Sequence, residues 1–120
     1  MKSFASLAEF LSLPELLERV EGDEDLLQEL LALFQEDLPG SREALQAAIA
    51  GGDLGEIERA AHRLKGMLAN LSARGTASLA AEIESEARAG NALKIPELLS
   101  TFDPQITAFS AALDSFMASA

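Results

Sequence analysis

His62 is the sole histidine of this 120-residue chain, and it is followed by Lys65 at i+3 and Gly66 at i+4 in the run Ala60-Ala61-His62-Arg63-Leu64-Lys65-Gly66. An imidazole is a nucleophile near neutral pH, and an ammonium one helical turn away is a point charge suited to an anion. Glycine inside a helix costs about 1 kcal/mol relative to alanine. Its place beside the ring implies that something bulky approaches there, and a phosphoryl group with the protein that donates it would fit.

No GxxxxGK[ST] or GxGxxG loop occurs in the sequence, so any phosphate is expected from a partner. The length suits one domain and leaves no room for an ATP-using kinase. Cysteine is absent, which removes disulfides, thiolate metal sites and thiol nucleophiles together. The start Met1-Lys2-Ser3-Phe4 lacks the apolar stretch of a signal peptide. No apolar run approaches the roughly 18 residues of a membrane span, and a cytoplasmic, soluble protein is expected.

The net charge of −11, from 9 basic and 20 acidic residues, argues against nucleic acid and anionic lipid as partners. Its distribution is uneven. Residues 59–74 hold Arg59, Arg63, Lys65 and Arg74 with no acidic residue, so the basic neighbourhood of an acidic chain surrounds its histidine.

The elements that must position His62 read as helices, since Leu, Ala and Glu dominate, tyrosine and tryptophan are missing, and no alternating β-branched run is found. Phe4, Leu7, Ala8 and Leu11 form a short amphipathic segment, expected to cap the open end of a bundle, with dimerisation as the alternative. Pro14 suits the first turn of a helix to about Val20, ended by Gly22. Asp23 is an N-cap for apolar positions Leu26, Leu27, Leu30, Leu31, Phe34 and Leu38, and Leu45, Ala48 and Ile49 continue the spacing beyond Pro39-Gly40. One kinked helix to about Ala50 is expected, closed by Gly51-Gly52.

Asp53 caps the next helix, whose stripe is Ile57, Ala61, Leu64, Leu68 and Leu71. At about 100° per residue, His62 lies about 200° from Leu64 and therefore faces solvent, beside Gly55, Glu58, Arg59, Lys65, Gly66 and Ala69. After a turn at Ser72-Ala73, a helix with Leu79, Ile83 and Ala87 inward ends at Gly90-Asn91. The last helix carries Leu98, Leu99, Phe102, Ile106, Phe109, Leu113 and Phe116, with Pro104 as a kink. The fold expected is all-α: an antiparallel four-helix bundle with one or two extra short N-terminal helices, divided into an extension over 1–13 and a bundle domain over 14–118.

These residues make the sequence resemble the histidine-containing phosphotransfer (HPt) domains of two-component phosphorelays. The hallmark His-x-Leu-Lys-Gly stands as His62-Arg63-Leu64-Lys65-Gly66, followed by Ala69-Asn70-Leu71, and the similarity runs from about Pro14 to Met117. The resemblance implies that His62 is the phosphoacceptor, that Lys65 supplies charge near the phosphate, and that Gly66 leaves room for the partner. Many members orient the histidine through Nδ1 from a Glu or Gln on the neighbouring helix, a position occupied by Glu84. Met67 departs from the small or hydroxyl residue common after the glycine; its flexible thioether suits an apolar docking surface with Gly55, Arg59, Arg63, Gly66 and Ala69 around it.

The resemblance implies a carrier rather than a kinase, taking a phosphoryl group from a receiver aspartate or a histidine kinase and passing it to another receiver. It is expected to act as a monomer and to bind no cofactor of its own, with Mg²⁺ on the receiver. Two rival readings are a non-transferring interaction module and the phosphoacceptor part of a larger histidine kinase. Metal binding has little support: Glu58 and His62 share a face, but a di-iron bundle needs two Glu-x-x-His motifs.

Overall fold

The computed structural model describes residues 6–118, and these form five α-helices: α1 (Leu13–Arg19), α2 (Glu24–Gly51), α3 (Leu54–Asn70), α4 (Arg74–Ala89) and α5 (Ile95–Ala118). Single 3₁₀ turns at Leu7–Glu9 and Ala92–Lys94 precede α1 and α5. Helices α2 to α5 make an elongated antiparallel bundle, with α3 and α4 the most extensively packed pair.

Local chemistry sets the boundaries. Asp23 accepts from the Leu26 amide at 3.0 Å and Asp53 from the Glu56 amide at 3.2 Å, each satisfying an amide the first turn leaves open. Gly52 and Gly90 close α2 and α4 in the left-handed region, with φ of 73° and 81°. Helix α2 continues through Pro39, and α5 through Pro104, as single elements. Since Pro39 has no amide hydrogen, the Gln35 carbonyl lacks its helical donor there.

The core follows the predicted stripes with informative departures. Ile57, Ala61, Leu64, Leu68 and Leu71 of the α3 stripe are all buried, as are Phe102, Ile106, Phe109, Leu113 and Phe116 of α5. On α2 the buried ridge is Leu27, Leu31, Phe34, Leu38 and Leu45, whereas Leu26 is exposed and Leu30 only partly buried. A helix between two neighbours presents one stripe, and adjacent apolar residues 100° apart cannot both lie on it. The same geometry corrects the reading of α4, where Thr76, Ala80, Ile83 and Ala87 face inward and Leu79 sits at the rim.

Leu7 and Leu11 are fully or almost fully buried, and the Phe10 ring stacks on Phe109 of α5 at 5.3 Å. The Ser12 amide donates to the Ser72 carbonyl at 3.1 Å, fastening this segment to the α3–α4 turn. The N-terminal segment thus covers one end of the bundle; Phe4 lies outside the described residues. Polar ties hold α2 to α5 at mid-length: Arg42 donates to Asp103 at 2.7 Å and to Thr107 at 2.9 Å.

Candidate functional site

Burial singles out one charged side chain. Among the described residues Glu84 is the only ionisable group in the buried set, at 4% exposure. It projects from α4 toward α3, where its carboxylate meets three donors. His62 Nδ1 lies 2.6 Å from Oε2, Lys65 Nζ donates to Oε1 at 2.6 Å, and Arg88 Nη2 donates to Oε2 at 3.0 Å. Arg88 also reaches back to α3, its Nε donating to Glu58 Oε2 at 3.1 Å.

Burial pushes the Glu84 carboxyl up, but the Lys65 and His62 hydrogen bonds and charges outweigh it and hold the group below its ordinary 4.5. Near neutral pH it is ionised and can only accept. The shared proton therefore belongs to His62 Nδ1, and in the neutral ring Nε2 keeps its lone pair. The ring itself stands in solvent, its side chain 68% exposed. An imidazole so held is a nucleophile oriented from behind.

The other predicted site residues gather unevenly around this ring. A Cβ built on Gly66 would meet nothing within 4 Å, so no contact inside the protein requires glycine there. Ala69 is exposed, and Gly55 lies in the first turn of α3 against Asp53 and Arg59. Together they leave a low surface beside the imidazole. Met67 is half-buried on the side facing α2, where its Sδ accepts from Ser41 Oγ at 3.3 Å and it lines an apolar groove with Leu30, Leu33 and Phe34.

The basic neighbourhood is weaker in space than along the chain. Arg59 pairs with Glu56, Lys65 with Glu84, and Arg74 with Glu15 at 2.6 Å. Of the four, only Arg63 makes no ion pair among the described residues. Lys65 is therefore engaged by a carboxylate rather than free for an anion. Arg88 and the Glu58 contact were missed by sequence reasoning, although both sit one helical turn from a site residue: Arg88 at i+4 from Glu84 and Glu58 at i−4 from His62. No group of three or more His, Cys, Asp or Glu among the described residues could hold a metal ion.

The model of the Hpt domain family matches residues 29–116, a span that contains His62, Lys65, Glu84 and Arg88. The chain belongs to the Hpt family. In structure this Hpt domain is similar to histidine-containing phosphotransfer protein B of Pseudomonas aeruginosa PAO1, with a TM-score of 0.80 and 26% identity over 88% of this chain and 92% of the other. No curated protein sequence matches it. Its function is thereby histidine phosphotransfer in two-component signalling, as a carrier rather than a kinase, and its partners are of the receiver and kinase classes. The family match begins within α2, so α1 lies outside it. No helix among the described residues is long and apolar enough to cross a membrane.

Proposed function

We propose that this Hpt domain relays phosphoryl groups between receiver aspartates through His62 Nε2, in the cytoplasm and as a monomer. In the forward step the Nε2 lone pair attacks the phosphorus of a receiver's aspartyl phosphate in line. The Nε2–P bond forms, the P–O bond to the aspartate breaks, and the carboxylate leaves. The ring proton stays on Nδ1, and Glu84 stabilises the positive charge that develops on the imidazole. The second transfer reverses these changes onto another receiver, or a histidine kinase supplies the group at the start.

Little chemistry remains for this chain beyond aiming the nucleophile and compensating charge. The Mg²⁺ and the groups that neutralise the transferring phosphoryl oxygens are assigned to the receiver. Lys65 supplies charge toward the phosphate, Gly66, Gly55 and Ala69 keep the approach open, and Arg59, Arg63 and Met67 contact the docked partner. The apolar groove of Leu30, Leu33 and Met67 flanks this approach on the α2 side.

The observation that supports this reading most is the 2.6 Å contact between His62 Nδ1 and the buried Glu84 carboxylate, which leaves Nε2 as the free nitrogen. Incubation with a phosphorylated receiver is expected to place an acid-labile, base-stable label on the wild-type protein and none on His62→Gln. Equal labelling of both proteins sinks the proposal.

A further inference from the structure

Glu84 has two cationic partners where charge balance needs one. Lys65 occupies Oε1, and Arg88 occupies Oε2 alongside the imidazole. The arginine is itself fixed from both sides, because its guanidinium bridges Glu84 on its own helix and Glu58 on α3. The lysine has the greater need to leave. A phosphoryl group on Nε2 adds up to about two negative charges beside it, and Lys65 is the cation one turn away on the same face of α3.

If Lys65 alone paired Glu84, turning toward the phosphoryl group would strand a buried carboxylate, at a cost larger than the contact it gained. The Arg88 fork removes that conflict. We propose that Arg88 is a positioning residue that keeps Glu84 charge-compensated while Lys65 exchanges from Glu84 to the incoming phosphoryl group. On this assignment Lys65 is shared between two anions in turn, and Glu84 never loses its grip on Nδ1. The inference deepens the phosphorelay reading and rests on it for its biological meaning; its chemistry is testable without any receiver.

Phosphoramidate transfers its phosphoryl group to imidazole nitrogen with loss of ammonia, so His62 can be phosphorylated chemically and the rate followed by ³¹P NMR. Lys65→Ala is expected to slow phosphorylation by about tenfold, the scale of one charge-assisted hydrogen bond. Arg88→Gln is expected to slow it comparably, because Lys65 is then retained by Glu84. The double variant is expected to be no slower than either single variant, and Arg88→Lys to recover most of the rate by restoring a cation at Glu84. The ring tautomer, read from ¹⁵N shifts, is expected to remain Nδ1–H throughout.

A wild-type rate in Lys65→Ala or Arg88→Gln overturns the proposal, as do multiplicative losses in the double variant or no recovery in Arg88→Lys. Loss of the Nδ1–H tautomer in Arg88→Gln overturns it too, by moving the effect onto the imidazole. Failure of receiver-dependent labelling while chemical phosphorylation follows this pattern would sink the relay reading and leave the Arg88 assignment standing.

Discussion

Glu84 on α4 holds His62 on α3 through a 2.6 Å contact between Oε2 and Nδ1, across 22 positions of sequence. The acceptor is buried and the ring is exposed, so one end of the pair is rigid and the other is presented to a partner. This division separates orientation from reactivity. A rigid carboxylate fixes the tautomer, while the exposed edge of the ring does the chemistry.

Glu84→Gln retains an amide oxygen that can accept from Nδ1–H but removes the charge that stabilises an imidazolium-like ring. Phosphotransfer is expected to fall by about tenfold, and further in Glu84→Ala, where the acceptor itself is gone. The stability loss in either variant is expected to stay near 1 kcal/mol or below, because Lys65 and Arg88 reach solvent and are not stranded. Rapid-quench transfer assays and urea denaturation check the two halves.

The depressed carboxyl of Glu84 also predicts a pH dependence of folding. Its folded-state value lies below the ordinary 4.5, so the stability it contributes is fully present above about pH 4.5 and is lost as pH falls through the lower folded value. The stability difference between wild type and Glu84→Gln should therefore move toward Gln's favour as pH is lowered from 5.5 to 3. Paired urea titrations across that range measure it, and a constant difference would contradict the assignment.

Gly66→Ala should raise stability while lowering function. A Cβ there meets open space, so the helix gains about 1 kcal/mol from the better helix former, with a higher melting temperature. Phosphotransfer from a receiver is expected to fall, because the methyl projects into the surface the partner approaches. Calorimetry and transfer rates on the same preparation would show whether the two move in opposite directions.

Leu33→Asp tests docking separately from chemistry. Leu33 is 57% exposed and contributes little to folding, yet it lines the apolar groove that also holds Met67. The substitution is expected to weaken receiver binding by about tenfold and to leave thermal stability and chemical phosphorylation of His62 unchanged. Isothermal titration with an unphosphorylated receiver reads the affinity.

Phe109→Ala is expected to destabilise the bundle by about 3–5 kcal/mol, since the ring is fully buried and stacks on both Phe10 and Phe34. Phe10→Ala should cost less, because Phe10 is only half-buried. The order of the two urea midpoints is the test.

Helix α3 was legible residue by residue: the Asp53 cap, the Ile57-to-Leu71 stripe and the solvent-facing position of His62 all follow from a period of 3.6 and the preference of short polar side chains for helix starts. The same period overstated burial wherever two apolar residues stood side by side, as at Leu26 and Leu27, because only contact with neighbouring helices selects the stripe that packs. Glu84 was placed by resemblance to the family, while its burial was not visible in a helix also carrying Glu82 and Glu86.

By itself, then, the amino-acid sequence determined the all-helical bundle, the helix ends and the identity of the reactive side chain, since these depend on interactions between residues a few positions apart. Tertiary structure alone decided how the charges are spent. Four basic residues close in sequence read as an open positive patch, but three of them meet carboxylates brought in by folding, two of these across helices at Glu84 and Glu15 and one within α3 at Glu56. The Glu58–Arg88–Glu84 bridge likewise exists only where α3 and α4 pack side by side. Ion pairs depend on distances of a few ångströms between elements, and a linear charge pattern carries no such distances.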